Sequence, residues 1–367
     1  MDHIRLKFYS TFEESREEWL RLEKNAVFYY FQSFLWLSEW YNNIGINAIS
    51  EPYIILVYHS NKPVALFPLC VKRIYNFFRA ITWMGGKLSD YNAPLYSKHL
   101  SEDERSEITE KVLAGLVKGK DIDLLFFKNV PERLDDGSTN PMINNKLVLP
   151  CTHAKDYLVA PYIALSDWEN CYIKVSKRLK NDSARAVRRL SECGPVEFRV
   201  ARDADEVKRI TGIMIRQKTE RFMETGAKNM FEDINYQNFF IGLGQKAYSA
   251  GYLHLSWLNL NNKPISVHWG ILFNNRFYYL MPSYDSCYRS FSPGRLLMEH
   301  LIHWCCDDGI KYFDFCLGDE KYKNDWTDSR MVLSRYVRPL TLKGRIFNKF
   351  YRKARPPAKN LRDYMGF

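Results

Sequence analysis

The strongest constraint on how this chain folds is an order of elements that occurs twice. In the first half, Tyr53 to His59 is a strand rich in Ile, Val and Tyr, followed by the turn Ser60-Asn61-Lys62 and a second strand from Val64 to Val71. A third strand runs from Ala80 to Met84. Ser101-Glu102-Asp103-Glu104 has the form of a capping box and opens a helix that leads to a strand at 123–127. In the second half, Leu253 to Leu260 is a strand, Asn261-Asn262-Lys263 a turn, and Ile265 to Phe273 and Phe277 to Met281 two further strands. A helix from Gly294 to Asp308, with Leu297, Leu301, Ile302, Trp304 and Cys305 at helical spacing, leads into a strand at 312–315.

Each half thus reads hairpin, third strand, helix, strand. A strand, a helix and another strand make a parallel pair with a right-handed crossover, and the hairpin before them is antiparallel. The expected fold is therefore α/β, as two similar halves with mixed sheets. The expected domains are 1–160 and 161–340, with a basic tail at 341–367, and a cleft between the halves is the natural substrate site.

The length, 367 residues, suits two domains of roughly 150–200 residues each. No apolar run approaches the roughly 20 residues that span a bilayer, and Asp2, Arg5 and Lys7 occupy the place of a signal-peptide apolar region, so a cytoplasmic location is expected. The eight cysteines form no Cys-x-x-Cys pair and fit neither a zinc site nor a disulfide framework. His300 and His303 share a helix face without an evident third ligand, so no metal is expected. His254 and His268 lie in strands and carry no assigned role. The net charge of +11 points to an anionic partner: a nucleotide cofactor, RNA or an acidic membrane. Much of it lies at 174–189, where Lys177, Arg178, Lys180, Arg185, Arg188 and Arg189 belong to a cationic helix that is either a solvated face or an anion contact.

The chemically informative stretch is Arg289-Ser290-Phe291-Ser292-Pro293-Gly294-Arg295, between the third strand and its helix. A helix start offers unpaired N–H groups and the positive end of its dipole to a phosphate. Ser292 is a candidate N-cap and Pro293 suits the first turn. Gly294 lets a ligand approach the backbone, and Arg289 and Arg295 add charge. A Ser-Pro-Gly helix start also occurs without a ligand.

Arg-x-x-Ser-x-Gly at 289–294 resembles a variant of the GNAT acyl-CoA motif, with Ser292 in place of its first glycine. With the run from Asp314 through Phe315-Cys316-Leu317-Gly318 to Trp326, it resembles the acetyltransferases associated with cellulose and other exopolysaccharide biosynthesis, relatives of the Fem-type aminoacyl ligases. Weaker similarity lies at Phe31-Gln32-Ser33 with Trp36, at Gly85-Gly86 with Ser89-Asp90-Tyr91, and in the basic helix. The resemblance implies two tandem GNAT-like (Fem-type) halves. The second binds acetyl-CoA or another acyl-CoA through Arg289, Ser292, Pro293, Gly294 and Arg295. The first is a degenerate copy whose Asp90 and Tyr91 face the acceptor, a small molecule or glycan; otherwise they form a turn with a buried tyrosine.

Acyl transfer needs a base for the acceptor, a stabilised oxyanion and a proton for the leaving thiolate. Asp319 and Glu320 are candidate bases or acceptor contacts because they follow a parallel strand at its C-terminal end, where open α/β sheets bind ligands. Asp285 is an alternative, and Tyr284 or Tyr322 can supply the proton. Lys323 is similar to a lysine of the Fem-type ligases and by that resemblance stabilises the transition state, and Trp326 of the same segment is a candidate substrate contact; otherwise Asp319, Lys323 and Trp326 only order a loop. Two other readings compete: a Fem-type transferase using aminoacyl-tRNA, and a non-catalytic RNA- or membrane-binding protein on the same fold. The basic, aromatic tail, with Lys343, Arg345, Phe347 and Lys349, is either an anionic-membrane contact at the inner face or a terminal helix packed on the second half.

Overall fold

The computed structural model describes residues 4–119, 121–143, 145–150 and 158–353, and the chain forms two compact units. Cys151 and the tail beyond Lys353 lie outside the described residues.

The first unit starts with β1 (Ile4–Tyr9), α1 (Phe12–Glu23) and α2 (Phe34–Trp40). Then come β2 (Glu51–His59), β3 (Lys62–Ile74), β4 (Phe78–Trp83), α3 (Glu102–Val117) and β5 (Leu124–Pro131). β1 to β4 pair antiparallel in that order, and β5 joins β4 in parallel after the α3 crossover. The Ser101–Glu104 capping box is present. Alternation along the strands puts Ile55, Val57 and Phe67 against Ile108, Val112 and Leu116 of α3, all buried. Each such side chain contributes about 1.5–3 kcal/mol on burial.

α1 and α2 are tied by Glu23, whose carboxylate accepts from the Phe34 N–H at the start of α2. Burial pushes the Glu23 carboxyl from 4.5 to about 7, against the opposing hydrogen bond from Phe34. Because the folded state holds this proton more tightly, its stabilisation is full below pH 4.5 and is lost as pH rises through about 7. A Glu23→Gln protein is expected to gain about 2–3 kcal/mol over the parent at pH 8 and nothing near pH 4. Urea unfolding at both pH values checks this; equal gains at the two would remove the linkage.

The second unit repeats the plan. β6 (Leu158–Ala164), α4 (Trp168–Ile173) and α5 (Lys177–Cys193) come first. They are followed by β7 (Val196–Val200), α6 (Ala204–Thr225), α7 (Ile234–Ser249), β8 (Leu253–Leu260), β9 (Lys263–Phe273) and β10 (Arg276–Tyr284). α8 (Pro293–Asp307) crosses over to β11 (Tyr312–Asp314), parallel to β10, while β7 to β10 are antiparallel neighbours. β6 pairs antiparallel with β11 on its other edge. In both units the full repeat is strand, two helices, three-strand meander, helix, strand, so the duplication extends further than the sequence patterns alone reach.

After α9 (Lys321–Asn324), β12 (Arg330–Pro339) departs from the expected boundary at 340. From Met331 onward it belongs to the first unit, because it pairs antiparallel with β5 from Leu333↔Pro131 to Pro339↔Leu124. α10 (Leu342–Lys353) follows it there. Its Phe347 is buried with Phe78, Phe126 and Val337, so the tail helix packs on the first unit and not on the second. Among the described residues no helix is long and apolar enough to cross a membrane.

Candidate active site

β10 and β11 pair in parallel only over Arg276–Tyr278 and Tyr312–Asp314, and then part. β10 continues to Tyr284, whereas β11 stops, so a slot bordered by strand backbone opens at their C-terminal ends. A buried ion pair fixes where the strands diverge. Arg276 Nη1 lies 3.0 Å from Asp314 Oδ2, and Asp314 Oδ1 accepts from the Cys316 N–H at 2.8 Å. Cys316 then turns the chain with φ 58° into the loop 316–320.

The start of α8 stands beside this slot. Asp285 accepts from the Cys287 N–H and opens a short 3-10 turn, Ser286–Phe291. Ser292, expected to cap α8 with its side chain, does not: it sits in the left-handed region at φ 51° and ψ 50°, away from the extended conformation that aims a cap hydroxyl at the first turn. Its own N–H turns back to the Arg289 carbonyl, its carbonyl accepts from the Arg295 and Leu296 N–H groups, and Pro293 has no N–H. Among the described residues this leaves the Gly294 N–H without a backbone acceptor, at the positive end of the helix. A Cβ on Gly294 would meet only Tyr284 Cδ1 at 3.7 Å and Ser266 Oγ at 4.0 Å, both ordinary contacts. The fold therefore does not require glycine here, and the space before it is open to a ligand. Cationic groups flank the turn. Arg189 of α5 lies over the Phe291 ring at 4.9 Å, Arg221 of α6 over the Tyr284 ring at 6.0 Å, and Arg295 has a buried Nε without a hydrogen bond.

Tyr284 and the turn 292–295 are thus brought together, with Ser266, facing Tyr284 across β9 and β10, as a member the sequence analysis missed. Asp285 is taken up by Lys263, 2.7 Å away. Partial burial works to raise its carboxyl, but the bonds from Lys263 and Cys287 outweigh that and hold it below the usual range, which weakens it as a base.

The loop after β11 gathers the other candidates. Lys323 is 3% exposed, with its ammonium 2.8 Å from Glu320 Oε2 and 3.2–3.4 Å from the carbonyls of Cys316, Leu317 and Gly318. This ammonium holds its own loop, the alternative expected for it, because backbone carbonyls turned inward need a donor. Asp319 is exposed beside Arg330, at 3.6 Å. Tyr322 is exposed, and Trp326 is buried in the core of the second unit.

Tyr91 follows the second of its two expected readings, a buried tyrosine. It is 1% exposed, and its ring stacks on Tyr29 at 4.7 Å and meets Phe31 at 5.8 Å, so it belongs to an aromatic core of the first unit. Neighbouring Ser89 accepts from Trp36 Nε1 at 3.1 Å, which fixes the turn that carries Asp90, a partly exposed residue with a partner of its own. His300 and His303 are engaged by stacking on Phe198 and Trp168. Among the described residues, no group of three or more His, Cys, Asp or Glu is placed to hold a metal ion.

Residues 177–324 match the family described as the acetyltransferase (GNAT) domain. Over this span the chain is similar to GNAT acyltransferases. That span includes the basic helix, the α8 turn and the loop to Asn324. FemX is similar in structure, with a TM-score of 0.59 at 11% identity over 94% of this chain and 99% of that one. A conserved protein from Bacteroides thetaiotaomicron gives 0.53 at 10% identity over 91% and 99%. The C-terminal domain of a protein assigned as a lysylphosphatidylglycerol synthetase from Agrobacterium fabrum gives 0.51 at 9% identity over 92% and 96%. At these identities the likeness establishes the fold, two GNAT-like halves. A search of curated proteins returns no match.

Proposed function

We propose that the GNAT domain transfers an acyl group, acetyl or longer, from acyl-CoA to an amine or hydroxyl of a cell-envelope or polysaccharide-related sugar or metabolite. The observation that carries the donor assignment is the start of α8, where an open glycine at a positive helix end adjoins the slot between β10 and β11. A CoA pyrophosphate suits the Gly294 N–H and the arginines around it, and the pantetheine arm can add along the free edge of β10. Tyr284 or Tyr322 is assigned to give a proton to the leaving thiolate as the acceptor attacks the thioester carbon and the C–S bond breaks. Asp319 is assigned to anchor the acceptor or take its proton, and Lys323 to position the loop that presents Asp319. The acceptor class rests on the resemblance to exopolysaccharide-associated acetyltransferases.

A second reading, transfer of an aminoacyl group from tRNA, is favoured by the cationic face of α5 and by the aminoacyl chemistry in the name of the lysylphosphatidylglycerol synthetase. Melting the protein with acetyl-CoA, longer acyl-CoAs and aminoacyl-tRNA separates the two. A donor at about 100 times its Kd adds roughly 2.7 kcal/mol, a rise of several degrees. A rise with an acyl-CoA is the expected result. A rise confined to aminoacyl-tRNA and abolished by RNase would replace the first reading with the second.

A further inference from the structure

We propose that α10 and the tip of the β3–β4 hairpin together form a docking face for an anionic phospholipid bilayer. The helix is seated rigidly on the first unit. Phe347 packs on Phe78 and Phe126 at 5.0 and 5.8 Å, Thr341 donates to Asp123 Oδ1 at 2.9 Å, and Gly344 lies where a Cβ would be 2.0 Å from the Asp123 carbonyl oxygen. Among the described residues nothing covers its opposite face. Leu342, Ile346 and Phe350 fall on successive turns and are 75%, 54% and 66% exposed. The hairpin tip stands against the helix on its Phe347 side, where Tyr75 and Phe77 are also exposed and the Tyr75 ring lies 6.3 Å from Phe347. Tyr75 and Asn76 occupy the left-handed region at φ 50° and 57°, and a bulky aromatic held there at a solvent-exposed tip is a costly arrangement for a role in folding alone.

Five large apolar side chains exposed on one helix and on the hairpin tip it touches exceed the scatter of an ordinary surface. The charges around them select the partner. Arg345, Lys349 and, at the hairpin, Arg73 are exposed, α10 contains no Asp or Glu, and the nearby Asp123 is already bonded to Thr341 and Lys343. An apolar stripe edged by cations and lying along a surface is the pattern of a helix that enters the headgroup region of an anionic membrane. A second copy of this chain would bring like charges together, which disfavours self-association through the same face.

The test is co-sedimentation of the full chain with phosphatidylcholine vesicles, with and without phosphatidylglycerol. Two variants are compared, Leu342→Ser/Ile346→Ser/Phe350→Ser and Arg345→Glu/Lys349→Glu, both altering exposed positions only. The parent is expected to bind the anionic vesicles, to release with salt, and to lose at least about tenfold in affinity in each variant while melting unchanged. Absence of binding to anionic vesicles at low salt overturns the proposal, as does undiminished binding by both variants. Light scattering that shows a dimer dispersed by the triple variant, without vesicle binding, assigns the face to a second copy and overturns it as well. No acyl donor is present in these measurements, so their outcome is separate from that of the transfer reading.

Discussion

A Gly294→Glu protein is expected to fold as the parent does and to lose its donor. A Cβ at this position meets nothing nearer than Tyr284 at 3.7 Å and Ser266 at 4.0 Å, so the first atom of the new side chain enters without a clash. A carboxylate in the first turn of α8 also favours the helix slightly, by a few tenths of a kcal/mol, so the unliganded melting temperature should hold or rise. The same carboxylate occupies the place proposed for the pyrophosphate and meets it with like charge. Loss of the anion contacts and added repulsion should weaken acyl-CoA by about 100-fold or more, near 2.7 kcal/mol. Isothermal titration with the best acyl-CoA, on parent and variant, measures it directly. Equal affinity in the two proteins would place the donor elsewhere.

The second large effect concerns Lys323. Replacing it with Met removes the donor shared by three carbonyls and leaves Glu320, itself largely buried, without its cation. Breaking a buried pair from one side costs about 3–5 kcal/mol, which for a unit of this size lowers the melting temperature by roughly 6–20 °C. Transfer activity should fall as well, because the loop 316–320 presents Asp319. Paired thermal melts and rate measurements separate this from direct contact with the reacting group. A Lys323→Met protein that melts like the parent yet has lost its kcat would make Lys323 a catalytic residue and remove the positioning role.

What could be read from the chain follows from how local each signal is. The β2–β3 and β8–β9 hairpins were legible because their strands are short-range partners and the turns Ser60-Asn61 and Asn261-Asn262 tolerate positive φ. The α3 and α8 crossovers were legible from a capping box and from helical spacing. β12 was assigned to the wrong unit because its partner β5 is distant in sequence, and no local pattern reports such a pairing. At the start of α8, Ser292 is a cap residue by type and a left-handed turn residue by conformation. Tyr91 and Lys323 share one difficulty: a loop aromatic or a loop lysine has the same letter whether it faces a substrate or its own backbone. Only burial tells these cases apart, and burial is set by the whole fold.

The late return of β12 has a consequence for how the protein is made. β5 is an apolar strand, Leu124-Leu125-Phe126-Phe127, and Leu333 of β12 is the partner of its Pro131. At bacterial or eukaryotic elongation speeds, the roughly 200 residues between them take about 10–40 s to emerge. During that interval the nascent first unit presents a bare hydrophobic strand edge on the ribosome, the kind of template that recruits other chains. Its yield in a cell should therefore depend on chaperones that shield nascent strands, and on how fast the ribosome traverses the second unit.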